Sequence, residues 1–257
     1  MRDDGRTDEA TPTYAFGDSD LAARRLRLLD ATFRTTTRRF LVRDALRRPG
    51  LALDLGCGPG STTALLHETV RATRTIGIDS SVAFLDEARA THPDLTFVQA
   101  DLVVDALPPA DIVYARYLLS HLPDPEGRVD EWRRALRPGG RLLIEENTGL
   151  RISHPVFRRY EDAVAVVMGA GGGDLYVGER LAAVANLVTR TTVAPPAAVV
   201  ARLFGMNLVT WRDHPAAAGI DVGGLADDLQ ELEASTERGL VLFDLAQLVV
   251  RTAVSSA

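Results

Sequence analysis

Glycines at positions 56, 58 and 60, in the run Leu53-Asp-Leu-Gly-Cys-Gly-Pro-Gly-Ser61, stand where an apolar strand gives way to a helix. Without a Cβ, such a turn can be tight and can approach a ligand closely. The helix that follows offers N–H groups and the positive end of its dipole, which suit a carboxylate or a phosphate. The spacing is G-x-G-x-G, whereas dinucleotide sites favour G-x-G-x-x-G. Asp54, just ahead of the first glycine, would repel a pyrophosphate and attract an ammonium group. Asp79 ends the next apolar run, where a carboxylate can accept from both hydroxyls of a ribose. Asp101, closing FVQAD, is placed to accept from an adenine amino group, with the Leu102 N–H beside it for the neighbouring ring nitrogen. One such aspartate reads equally well as a helix cap. Several at successive strand ends point to a ligand, because open α/β sheets bind at the carboxyl ends of their strands.

Cys57 lies inside the glycine turn, and a small side chain filling a tight loop accounts for it better than a nucleophile does. The five histidines, at 67, 92, 121, 154 and 214, are scattered with no ligand-like spacing, so no metal is expected.

These residues need strands that end together. Leu51–Leu55, Thr75–Ile78, Leu95–Val98, Asp111–Ala115 and Arg141–Ile144 are short and apolar, and helical stretches separate them, the pattern of a parallel α/β sheet. Before the last of these, Asp124 can cap a helix with Pro125 in its first turn, and Val129, Trp132 and Leu136 share one face. From about Asp20 to Leu46, Leu21, Leu28, Leu29, Phe33, Phe40 and Leu41 recur at turn spacing. The rhythm breaks after 147. An apolar helical run (Ala163–Met168), the loop GAGGGD (169–174) and Pro195-Pro196 read as a helical insertion, either a lid over a substrate or a plain structural layer. Val241–Val250 is apolar enough for a final buried strand or helix. The expected organisation is a disordered tail at 1–12, a helical cap at 13–49, a ligand-binding core at 50–147, a helical insertion or lid at 148–200, and completion of the core sheet by 201–257.

Composition narrows the chemistry. The chain has 257 residues, a net charge of −6, 46% hydrophobic and 25% charged residues, all within the range of globular domains. All 29 basic residues are arginine, so Schiff-base chemistry on lysine and a lysine-bearing phosphate loop are both excluded. The acidic balance argues against nucleic acid as a partner. No apolar run approaches the roughly 20 residues that span a bilayer, and the opening MRDDGRTDEA lacks the apolar segment of a signal peptide. A cytoplasmic protein without membrane contact is expected, with a homodimer left open.

Taken in order, LDLGCGPG, IGIDSS, FVQAD, DIVYARYLLSHLPDP and LRPGGRLLIEE resemble the class I S-adenosylmethionine-dependent methyltransferases over about residues 14–147. YAFGDSDLAARRL resembles the N-terminal stretch of small-molecule members. The resemblance implies a Rossmann-like, doubly wound, mostly parallel seven-stranded sheet, with S-adenosylmethionine as cofactor and S-adenosylhomocysteine as product. On that reading Gly56, Gly58 and Gly60 form the loop under the methionine and ribose. Asp79 binds the ribose hydroxyls, Ser80 sits beside the adenine, and Asp101 and Leu102 hold its edge. The β-strand end near Ala115 and Arg116 takes the ammonium through a backbone carbonyl. Tyr14 and Arg25 close over the cofactor, the arginine pairing with its carboxylate.

Transfer from a sulfonium is an in-line displacement, so alignment supplies most of the rate. An alcohol or phenol acceptor must also lose a proton, which suits a histidine. His121 is the first candidate base, with packing of its loop as the alternative reading; Glu146, Glu145 and His154 follow it. Tyr117, Tyr160 and Tyr176 are candidate pocket walls. The expected activity is O- or N-methylation of a small molecule, in the manner of secondary metabolism. The rivals are carbon methylation of an activated small molecule, a cofactor-binding scaffold or pericyclase, and a nicotinamide oxidoreductase, which the glycine spacing disfavours.

Overall fold

A computed structural model of the chain describes residues 17–252. The tail expected at 1–12, and Tyr14, lie outside the described residues. Helix α1 (Asp20–Asp44) starts at Ser19, whose hydroxyl accepts from the Ala22 N–H at 3.3 Å. Then follow β1 (Leu51–Leu55), α2 (Ser61–Val70), β2 (Arg74–Asp79), α3 (Val82–Thr91), β3 (Thr96–Gln99), β4 (Ala110–Arg116), α4 (Pro125–Arg134) and β5 (Leu136–Ile152). Asp124 caps α4 as expected, accepting from the Gly127 N–H at 3.1 Å. The rest comprises α5 (Pro155–Ala170), α6 (Val177–Leu181), β6 (Leu187–Val193), α7 (Ala197–Trp211), α8 (Val222–Leu232) and β7 (Val241–Arg251).

The seven strands form one sheet in the order β3-β2-β1-β4-β5-β7-β6. β1 to β5 are mutually parallel, and β7 runs antiparallel between β5 and β6. The expected doubly wound, mostly parallel architecture is therefore present. The order in which successive strands are added reverses at β1 and β4, β1 to β3 running outward on one side and β4 onward on the other, which opens a crevice beyond their carboxyl ends.

Period-two alternation sorts the strand side chains into two cores. Ala52, Ile112, Tyr114, Leu143 and Val249 meet Phe40 and Leu41 of α1 and Leu65, Leu66 and Val70 of α2. Leu53, Val113, Ala115, Leu142 and Ile144 meet Val129 and Trp132 of α4 and Val177 and Leu181 of α6. A third cluster joins Phe33 of α1 to α5, α7, α8 and Phe243 of β7. Burying each large apolar side chain in these layers contributes about 1.5–3 kcal/mol. Among the described residues no helix is long and apolar enough to cross a membrane.

Two stretches differ from the expected helical insertion. Residues 148–152 continue β5 against β7, and 187–193 form β6 at the sheet edge. The run LVTRTTV has β-branched residues and a half-exposed burial pattern, which suit an edge strand and give little apolar signal. Conversely, β7 is buried along most of its length, so its sequence lacks the alternation of a one-sided strand. α7 and α8 precede it within the segment expected only to complete the sheet.

Candidate active site

A cavity of about 520 Å³ lies beyond the carboxyl ends of β1, β2 and β4, within the usual range of roughly 300–1,000 Å³ for small-molecule sites. The turn after β1 forms its floor. Gly56, Gly58 and Gly60 all adopt left-handed backbone, with φ of 64°, 52° and 86°. Space is as restrictive as conformation: a Cβ on Gly60 would come within 3.0 Å of Ala88, His92 and Phe97, and one on Gly56 within 2.8 Å of Leu118. Gly56 and Gly60 are thus required by packing against the protein's own α3, β3 and post-β4 loop, and not only by approach to a ligand.

Asp79 lines the cavity from the end of β2. Its Oδ2 accepts from the Gly58 N–H at 2.8 Å and its Oδ1 from Ser81 N–H at 2.9 Å, which locks the carboxylate against the glycine turn. Burial raises its pKa above the ordinary aspartate value. A carboxylate has about four acceptor positions, so these bonds leave capacity for hydroxyl donors. Asp101, after β3, accepts from the Val103 N–H at 2.9 Å, and Ser80, Asp101 and Leu102 all line the same wall.

Asp54 does not face the cavity. It is buried, and its Oδ2 accepts from the Thr62 and Thr63 hydroxyls at 2.7 Å each. Burial pushes its pKa up to about 6. The expected attraction of an ammonium group to Asp54 is corrected accordingly: the side chain fastens β1 to the start of α2. The Cys57 thiol is buried and its pKa is pushed well up, by burial first and then by Asp54 and Asp79. That is the environment of a filler and not of a thiolate.

Beyond β4 the chain bends through Tyr117, whose φ is 52°, into a short turn at Leu119–His121. His121 lines the cavity with Tyr117, Leu118, Leu122 and Met168. Burial, aided by the positive charge of Arg25, lowers its pKa to about 3, so the imidazole is neutral at physiological pH. Glu146 sits behind this turn and not on the rim. Its Oε1 accepts from the Leu118 and Leu119 N–H groups at 2.8 Å each, and burial raises its pKa to about 8. The expectation that Glu146 is a catalytic group is corrected: it is a positioning residue for the loop that carries His121. Glu145 is also buried, accepting from Thr37 at 2.6 Å and Gln247 at 2.7 Å.

His154, Tyr160 and Tyr176 are not among the residues lining the cavity. His154 packs beside Phe157; Tyr160 stacks on Phe204 and its hydroxyl accepts from Asn207 at 2.5 Å; the Tyr176 hydroxyl donates to Glu161. From the expected insertion only Met168, Gly171 and Gly173 reach the cavity.

The roof is α1, through Arg25, Leu26, Leu29 and Asp30. Arg25 is brought to the cavity as expected. Arg116 also lines it, but with its side chain, which pairs with Asp30 at 3.0 Å. Asp30 was not singled out from sequence, although a signal existed: it is a carboxylate on the apolar face that Leu26, Leu29, Phe33 and Thr37 define at helical spacing.

A parallel sheet with a reversal point, a glycine turn and two carboxylates at successive strand ends defines an α/β protein with its cavity at the switch point of the sheet. Residues 53–144 match the family described as a methyltransferase domain. Over this stretch the chain is similar to methyltransferases. A trans-aconitate 2-methyltransferase from Azoarcus sp. is 41% identical over 109 residues, which is 42% of this chain and 43% of that protein. The match thus spans less than half the length of that relative. In fold, the chain is similar to a cyclopropane synthase from Mycobacterium tuberculosis, with a TM-score of 0.59 at 16% identity over 91% of this chain and 94% of that one. It is also similar to a coclaurine N-methyltransferase bound to N-methylheliamine and S-adenosylhomocysteine, with a TM-score of 0.54 at 13% identity over 94% and 77%.

Proposed function

We propose that this protein transfers a methyl group from S-adenosylmethionine to a small-molecule acceptor, on oxygen or nitrogen. The observation that carries the reading is one cavity reached from both sides of β1. Asp79, Asp101 and Leu102 enter from the β2–β3 side, and Tyr117, Leu118 and His121 from the β4 side. The residues present fit the cofactor. Asp79 has acceptor positions left for the ribose hydroxyls, Asp101 and Leu102 offer an acceptor and a donor for the adenine edge, and the glycine turn leaves a floor without side chains. In this reading residues 50–147 hold the cofactor, 13–49 form the roof, and part of 148–200 forms the acceptor wall.

The bound cofactor supplies a methyl group made electrophilic by its sulfonium. The protein's part is alignment and exclusion of water. The neutral His121 ring would take a hydrogen bond from the acceptor's O–H or N–H, aim the acceptor's lone pair at the methyl carbon and receive the proton released as the C–S bond breaks, with S-adenosylhomocysteine as the leaving group; Glu146 holds the His121 turn in place. Enclosure by Leu29, Leu118, Leu122 and Met168 favours a compact acceptor. Trans-aconitate, the acceptor in the name of the Azoarcus relative, is the first compound to assay, with small phenols and amines beside it.

Calorimetry with S-adenosylmethionine, S-adenosylhomocysteine and NAD tests the cofactor. Heat of binding with the first two and none with NAD is the expected result. Binding of NAD alone would overturn the reading.

A further inference from the structure

Asp30 and Arg116 line the cavity, yet their side chains are only 8% and 5% exposed. Arg116 Nη2 donates to Asp30 Oδ1 at 3.0 Å, and Nη1 donates to Thr37 Oγ1 at 3.2 Å. Asp30 Oδ2 accepts from Arg34 Nη1 at 3.2 Å. A guanidinium carries five N–H donors in a planar fork and a carboxylate about four acceptor positions, so both groups keep capacity beyond these bonds. Burying such a pair costs desolvation that mutual attraction seldom recovers in full. A ligand with one charge would gain from one member of the pair and be repelled by the other. A ligand carrying both signs on adjacent atoms satisfies the two together. The pair stands at the end of β4, next to the strand that feeds the glycine turn.

We infer that Asp30 and Arg116 form a clamp for the zwitterionic α-amino-acid head of the cofactor, the ammonium on Asp30 and the carboxylate on Arg116. The inference rests on the S-adenosylmethionine reading of the cavity. It replaces the sequence-based expectation in which Arg25 takes the carboxylate and the β4 backbone takes the ammonium. Arg25 instead lies close enough to His121 and Tyr160 for its charge to act on both. The clamp also makes α1 part of the cofactor site, since Asp30 is the residue through which the roof touches the amino-acid head.

Calorimetry on the full chain with S-adenosylhomocysteine and with methylthioadenosine, which keeps the nucleoside and thioether but has no amino-acid head, tests this. The wild-type protein should bind S-adenosylhomocysteine at least about tenfold more tightly, the scale of hydrogen bonds to charged groups. In Asp30→Asn, and in Asp30→Asn with Arg116→Gln, that advantage should vanish while affinity for methylthioadenosine stays within about twofold, which also reports that the variants are folded. Should the variants fail to fold, decarboxylated and deaminated S-adenosylhomocysteine on the wild-type protein serve instead, and each should bind at least about tenfold more weakly than the parent. Equal wild-type affinity for S-adenosylhomocysteine and methylthioadenosine, or a variant that weakens both by the same factor, overturns the clamp and leaves the cofactor reading intact. Binding of neither compound by the wild-type protein overturns both.

Discussion

His121 and Glu146 divide the work of one loop. His121 meets the cavity, and Glu146 secures the two N–H groups just before it. Removing the imidazole in His121→Ala should lower turnover by about 10²-fold or more, the usual scale for a proton-handling group. Affinity for S-adenosylhomocysteine, measured by calorimetry, should be unchanged. Glu146 makes a prediction about pH. Its folded pKa of about 8 lies above the ordinary glutamate value of 4.5, so the folded state binds the extra proton. The stabilisation this brings is complete below pH 4.5 and disappears as pH rises through 8. Glu146→Gln keeps an oxygen facing Leu118 and Leu119 and removes the titration. Urea unfolding at both ends of that window should show the wild-type protein losing stability relative to the variant toward the alkaline end. An equal slope in both proteins would remove Glu146 as the source. Placements set by local sequence, such as Gly56 in the turn, Asp79 and Asp101 on the cavity wall and the Asp124 cap, were legible in advance. Asp54, Glu146 and Asp30 were not, because burial and partner are decided by segments far away in the chain.

At the level of elements, the glycine turn is held between α3 and β3, and α1 is pinned to the sheet by side chains. Thr37 bonds Glu145 of β5, Arg43 bonds Gln247 of β7 at 3.1 Å, and Arg34 bonds Glu68 of α2 at 3.0 Å. Gly60→Ala combines a left-handed backbone with a Cβ that has nowhere to go, and overpacking of this kind typically costs about 1–3 kcal/mol. The expected outcome is a lower denaturation midpoint together with weaker S-adenosylhomocysteine binding, since the turn and its packing shift together. Strands β1 to β4 were found in the sequence to within a residue or so at each end because short apolar runs with acidic or glycine-rich exits have few other readings. The strand at Arg141–Ile144 was found as well, but the continuation of β5 through 147–152 and the edge strand β6 were missed. Their strand character comes from pairing with β7, a partner about a hundred residues beyond the start of β5.

For the whole molecule, the roof, floor and both walls of the cavity come from separate parts of the chain, so a ligand that bridges them is linked to global unfolding. S-adenosylhomocysteine at a hundred times its dissociation constant should add about 2.7 kcal/mol to the stability. For a chain of this size that corresponds to a rise in Tm of roughly 5–10 °C, readable by calorimetric melting. NAD at the same concentration should leave the melting temperature unchanged. A flat response to S-adenosylhomocysteine would separate the cavity from that ligand.

The position of β7 bears on how the polypeptide is made. Translation delivers residues 241–251 after every other strand of the sheet, yet they belong between two strands that have already emerged. A nascent chain that stops at residue 240 therefore holds two open hydrogen-bonding edges with no occupant between them. Edges of that kind recruit neighbouring chains. The vulnerable interval in this protein's synthesis is thus the one before β7 emerges, when a ribosome queue or a premature stop would leave the other six strands in their most adhesive form.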